Sequence, residues 1–215
     1  MNIRLGIYEI FSRIVPGACY LAAILQFAVI TGLISIDWPM LSQIGIVPSV
    51  GLIIIAYILG TALDPVSLLW YFLFKPKGMS GRALNELKTK HRDNWAIDFE
   101  DRHWPILLAH IRIKNPDIAG DIDRFSAFAI MFRNISLGLI LIAINFVVQF
   151  FLSKTTFYVF IAGVLFIGSI LVIREGIRFR EWYYSSIFET TIAYRLSLDE
   201  HIKSVKSDKK TKSSR

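Results

Sequence analysis

Four apolar stretches, each about as long as a bilayer core is thick, constrain this chain more than any other feature. They run from Gly17 to Ile36, Gly45 to Leu63, Asn134 to Leu152 and Thr155 to Ile173. A spanning helix needs about 20 mostly apolar residues. Inside lipid every backbone polar group must be satisfied within the structure, which single apolar segments of this length achieve only as helices. The expected fold is all-α and polytopic, with four transmembrane helices. The connectors DWPMLSQI and SK are short, so the spans pair as two antiparallel hairpins, with helical cytoplasmic extensions and no large external domain. A hydrophobic content of 54% agrees with that class and argues against a soluble domain.

The basic residues orient the spans. Two lie before span one, none in the first connector, eleven from Lys75 to Arg133, one (Lys154) in the second connector and ten from Arg174 onward. The positive-inside rule then puts both termini and the central segment in the cytoplasm. The formal net charge of +7 has this topological origin. Local balances of eleven basic against eight acidic residues in the central segment, and ten against six after Arg174, are too even to call for duplex nucleic acid.

Between these landmarks the chain divides by composition. Residues 1–16 should form an amphipathic helix in the headgroup layer, with Ile3, Ile7, Ile10 or Phe11, and Ile14 at helical spacing. This segment lacks the pattern of a cleaved secretory signal and is expected to stay on the protein. Residues 17–74 make the first hairpin and 75–133 a cytoplasmic helical segment. The second hairpin takes 134–173, a helical extension 174–203, and a basic tail 204–215. Short helices are expected over 82–90 and 105–114, with Trp95, Phe99, Trp104, Ile106, Leu107 and Leu108 as a small apolar cluster, packing on the extensions of spans three and four in this chain or a neighbouring copy. Asn115 is a good N-cap and Pro116 a good first residue for a helix running to Leu152. Span four should continue far past the membrane, its stripe made by Ile177, Tyr184, Ile187 or Phe188, Thr191, Tyr194 and Leu198. The tail, rich in Lys and nearly free of apolar residues, is expected to be disordered and drawn to anionic lipid.

Asp64 is the one formal charge between Trp38 and Phe74. An ionisable group in a span marks a functional site by default, so its depth matters. Asp64 lies nineteen residues from Gly45, Arg133 nineteen from Leu152, and Arg174 nineteen from Thr155. All three belong to one layer at the inner membrane boundary, either as an ion-pair network or as side chains that snorkel separately to headgroups. The Asp64-Pro65 pair also reads as a cap that ends span two and restarts a helix, with Trp70, Tyr71 and Phe72 at the interface.

Gln26, Asn145 and Gln149 are the amides inside the spans, and they either bind helices together or line a wet path. On the cytoplasmic side Arg82, Lys88, Lys90, His91 and Arg92 form a candidate phosphate-binding set, with Trp95 as a stacking surface for a nucleotide or short oligonucleotide. The spacing of His91, His103 and His110 matches no zinc motif. Asp98, Glu100 and Asp101, like Asp117, Asp121 and Asp123, read as solvated faces rather than a cation site. A single cysteine, Cys19, excludes an intrachain disulfide, a cysteine zinc cluster and a CxxC redox pair. With no P-loop, dinucleotide fingerprint, GxSxG or HExxH, neither catalysis nor a cofactor or metal is expected.

The layout of FSRIVPG before span one, YILGTALDP closing span two and FRNISLGL entering span three resembles the small four-span proteins of bacterial anti-phage defence operons. The resemblance implies an inner-membrane effector that permeabilises the membrane after a nucleotide or oligonucleotide signal. The expected function is an oligomeric, gated ion-leak path that depolarises the cell, its partners being lipid, further copies of the chain, and a cytoplasmic ligand or protein. The competing expectation is a non-conducting anchor or sensor that recruits a soluble partner.

Overall fold

The structure is a computed structural model that describes residues 3–35, 45–90 and 99–194. Its regular elements are all helical: α1 (Ile3–Ile30), α2 (Ile46–Ala62), α3 (Asp64–Phe72), α4 (Met79–Lys90), α5 (Trp104–Lys114), α6 (Pro116–Ser153) and α7 (Phe157–Ala193), with a 3-10 turn over Asp101–His103. Among the described residues three helices are long and apolar enough to cross a membrane: Ile10–Ile30 within α1, α6 and α7. A fourth span results if α2 and α3, bent by 45° at their junction, count as one. The first connector, His91, Arg92, Trp95 and the basic tail lie outside the described residues.

Helix α1 differs from its expected division into an interfacial piece and a span. It runs unbroken through Pro16, which is buried. Proline removes one backbone N–H from the ladder, and here the bonds on either side carry the helix across. The candidate span accordingly begins at Ile10 and ends at Ile30, earlier at both ends than Gly17 and Ile36.

The bend between α2 and α3 falls where Pro65 lacks an N–H and its ring crowds the preceding turn. Asp64 does not cap α3. The N-cap position is Leu63, which makes no side-chain cap bond, and the Asp64 carboxylate is engaged elsewhere. At the start of α6 the expected cap is present: Asn115 Oδ1 accepts the Ile118 N–H at 3.3 Å.

The chain divides into two compact units, the first comprising Met1–Lys75 with Ala127–Arg178 and the second Pro76–Ser126 with Phe179–Arg215. Helices α6 and α7 contribute residues to both.

In the first unit α1 and α2 meet backbone to backbone. A Cβ on Gly17 would collide with the Ala56 carbonyl, and one on Gly60 with the Arg13 carbonyl. Ala56 and Gly60, four apart, are the small-residue pair that permits this approach. Helices α6 and α7 pair their residues in reverse order: Phe146 stacks on Tyr158, Ser136 meets Ser169, and a Cβ on Gly176 would lie 3.3 Å from the Ala129 carbonyl oxygen. The outer faces are apolar, with Ile54, Ile58, Phe151, Phe160 and Ile167 all exposed.

The second unit has a conventional interior. Helix α4 buries Met79, Ala83, Leu84 and Leu87; α5 buries Leu107, Leu108 and Ile111; α7 adds Tyr183, Tyr184, Ile187 and Phe188. Phe99 stacks on Phe188 at 5.7 Å, and Trp104 meets Tyr183 and Tyr184 edge-on. Ile106, expected in this cluster, is exposed, because α5 turns Leu107, Leu108 and Ile111 inward and leaves Ile106 on the opposite side.

Candidate functional site

The first unit places side chains of three helices, α1, α3 and α6, around one carboxylate. Asp64 Oδ1 lies 2.6 Å from Arg133 Nη2 and 3.0 Å from Arg13 Nη1, and accepts a hydrogen bond from Asn134 Nδ2 at 2.9 Å. Arg133 spends its Nε on Ser67 Oγ at 3.0 Å, and Ser67 Oγ donates in turn to the Asp64 backbone carbonyl at 2.8 Å. On the other side of Asn134 the Tyr20 hydroxyl donates to its Oδ1 at 3.3 Å. Tyr20, Ser67 and Asn134 are almost entirely buried. A second chain of bonds follows along the same helices. Trp70 Nε1 donates to Ser136 Oγ at 2.9 Å, and Ser136 and Ser169 exchange bonds, each hydroxyl within 3.0 Å of the other's backbone carbonyl. The two chains tie α1, α3, α6 and α7 together, and they do so at the bend.

Physically this is a clamp. Charge-assisted bonds are about twice as strong as neutral ones, and removing one member of a buried ion pair commonly costs about 3–5 kcal/mol because the other is left uncompensated. The side chains here are partly exposed, at 12% for Arg133, 21% for Arg13 and 27% for Asp64, so the lower end of that range applies.

The three residues assigned by depth to one charged layer do not all meet. Asp64 and Arg133 are in contact, whereas Arg174 is exposed and makes no ion pair among the described residues. The reason is angular. Successive residues on a helix turn by about 100°, and on α7 it is Ile173 and Gly176 that face the bundle. The second arginine at Asp64 is Arg13. Its signal was available: it lies four residues ahead of Gly17, the start of the first apolar stretch, and seven residues ahead of Tyr20 on one helical face.

Of the span amides, Asn145 is buried and donates Nδ2 to the Ala23 carbonyl at 2.7 Å and, at 3.4 Å, to Gln26 Oε1. These two residues join α1 to α6. Gln149, one turn further along α6, is half-buried.

In the second unit Arg82, Lys88 and Lys90 are exposed on α4, Lys90 on the same side of the helix as the buried Ala83 and Leu87. Their expected companions His91, Arg92 and Trp95 fall outside the described residues. Three of the acidic side chains are engaged: Arg112 Nη2 donates to both oxygens of Asp123 at 2.9 Å, Arg124 pairs with Asp121, and Asp101 accepts from Ser80. His103 Nδ1 accepts the Glu100 N–H in a capping box. Among the described residues no three His, Cys, Asp or Glu side chains gather as a metal site. Arg180 donates to Ser126 Oγ and lies over the Tyr183 and Tyr184 rings at 5.0 and 5.5 Å.

No family model, curated protein or solved structure matches the chain.

Proposed function

We propose that this chain is a multi-pass protein of the bacterial inner membrane, with four spans in two antiparallel hairpins and both termini cytoplasmic. It acts as an oligomeric effector whose spans open an ion-leak path when a nucleotide-type ligand or protein partner engages its cytoplasmic helices, in the anti-phage setting that its resemblance implies. The bent α2 and α3 pair serves as one interrupted span, and the distribution of basic residues supplies the orientation.

The observation that carries this reading is the bend at Leu63 pinned by Asp64 between Arg13 and Arg133. A broken span held by a few charge-assisted bonds is an element with two arrangements, which gating requires. Helix α6 carries Arg133 and continues without interruption from Pro116, so a change at its first turns has a covalent route to the clamp.

The test is ion flux from vesicles reconstituted with the full chain, with and without cyclic nucleotides or short oligonucleotides. The reading expects triggered flux in wild type and untriggered flux in Asp64→Asn. Electrical silence of both under every condition overturns it.

The anchor or sensor reading has one observation in its favour: Asn145 is committed to Ala23 and Gln26, so it holds helices together instead of facing a path. In that case neutralising Arg82, Lys88 and Lys90 abolishes function in cells while the vesicles stay silent. In the leak reading Gln149 is the amide left to line the path, and Gln149→Leu lowers triggered flux without loss of assembly.

A further inference from the structure

Helix contacts in the first unit are of two kinds. Within the α1–α2 pair backbone lies on backbone at Gly17, Ala56 and Gly60. Within the α6–α7 pair Gly176 lies against the Ala129 carbonyl, and Ser136 and Ser169 donate to each other's backbone. Between the pairs the bonds come from polar side chains: Tyr20 to Asn134, Asn145 to Gln26 and the Ala23 carbonyl, and Arg133 and Asn134 to Asp64. Asn134, Gly138, Asn145 and Gln149 follow one another by four, seven and four residues, which puts them on one face of α6. Tyr20, Ala23 and Gln26 meet that face from α1. The polar row is interrupted at Gly138, where an added Cβ would stand 2.7 Å from Cys19 Cβ.

The two kinds of contact respond differently to water. A polar side chain that exchanges a protein partner for water loses little net, whereas one left with neither loses much. Parting α1 from α6 exposes hydroxyl and amide groups that water satisfies; parting α1 from α2 at Gly17, Ala56 and Gly60 exposes no polar side chain at those positions. Amides at a spanning interface either join helices or line a wet path, and on a seam that opens they do both in turn. We propose that the first unit opens along the α1–α6 seam, α1 and α2 moving together away from α6 and α7. Small hydrated ions then cross between Tyr20 and Gln26 on one side and Asn134, Asn145 and Gln149 on the other. In the structure this path is shut where Cys19 meets Gly138, and the Asp64 clamp locks one end of it. The proposal rests on the leak reading and adds where the path lies: within one chain, not between copies.

Cys19 is the chain's single cysteine, so its labelling reports the seam directly. The full chain in phospholipid vesicles is treated on both faces with trimethylammonioethyl methanethiosulfonate, a charged reagent that reaches a thiol only through water. Labelling is followed by intact mass, and potassium flux is recorded in parallel. Asp64→Asn should label Cys19 at least about tenfold faster than wild type, the factor that one lost charge-assisted bond sets. Gly138→Ala, which drives a methyl into Cys19, should also label faster, and it decides the matter if Asp64→Asn does not fold. A Ser169→Cys probe in a Cys19→Ala chain reads the α6–α7 contact and should label slowly in both variants. Labelling of Cys19 no faster than in wild type overturns the seam; flux from those same vesicles then keeps the leak and moves its path elsewhere. Fast labelling at both probes is general loosening and overturns it as well. Fast labelling at Cys19 alone, with flux, upholds it. The same labelling in electrically silent vesicles overturns the ion path and the leak reading together, leaving only the opening.

Discussion

The two units of this chain differ in what they expose and in how many polar side chains they bury, and α6 and α7 take part in both. In the first unit α6 buries Asn134, Ser136 and Asn145 and exposes Ile144, Val147, Phe151 and Leu152; in the second the same helix buries Ala119 and Ile122 and exposes Asp117, Asp121 and Arg124. Helix α7 shows a similar contrast, with Ser169 buried beside Ile173 and Phe160 and Ile167 exposed in one unit, and Ile187 and Phe188 buried and Glu189 exposed in the other. The hydrophobic effect explains the second pattern. In the first unit, whose outer faces are apolar, small-residue packing and interhelical hydrogen bonds hold the helices, the interactions that operate between helices in lipid. One helix therefore carries two folding codes in succession.

The contrast can be broken at its strongest points first. Phe188→Ala removes a fully buried ring stacked on Phe99 and should cost the second unit about 3–5 kcal/mol. Hydrogen exchange should then accelerate in α4 and α5 and leave the α1 and α2 contact protected. The converse substitution, Gly60→Ala, drives a methyl into the Arg13 carbonyl and should cost about 1–3 kcal/mol, with exchange rising in α1 and α2 and thermal unfolding in detergent shifted down. Ser136→Ala deletes the bonds to Ser169 and Trp70. Intramembrane bonds of this kind average about 0.6 kcal/mol, so a small but resolved loss is expected in the same unfolding measurement. Arg174→Gln should change stability by less than about 0.5 kcal/mol, since the side chain is exposed and outside the clamp.

What the sequence disclosed follows the same division. Local signals were readable: Asn115 and Pro116 opening α6, Pro105 near the start of α5, Pro65 at the bend, and the long continuation of α7. The Asp64–Arg133 contact was readable too, because counting along helices that rise about 1.5 Å per residue matches their positions. Direction around a helix was not, since apolar residues occur on every side of a lipid-facing span and leave no polar stripe to mark its outside. Hence Arg174 was grouped with Asp64 and Arg133, although its side chain is exposed and makes no ion pair among the described residues. Arg13 was overlooked because residues 1–16 read as a separate interfacial helix, whereas α1 runs unbroken from Ile3 to Ile30. Tyr20, Asn134, Ser67 and Ser169 were missed for a related reason: hydroxyl and amide side chains at helix contacts look the same in sequence as those at helix ends.

A double-mutant cycle of Asp64→Asn and Arg133→Gln, with unfolding followed in lipid nanodiscs and Arg174→Gln as the control partner, tests the clamp most directly. The account predicts a coupling of about 1–3 kcal/mol between Asp64 and Arg133 and none between Asp64 and Arg174. Additive effects at Asp64 and Arg133, within about 0.3 kcal/mol, would contradict it.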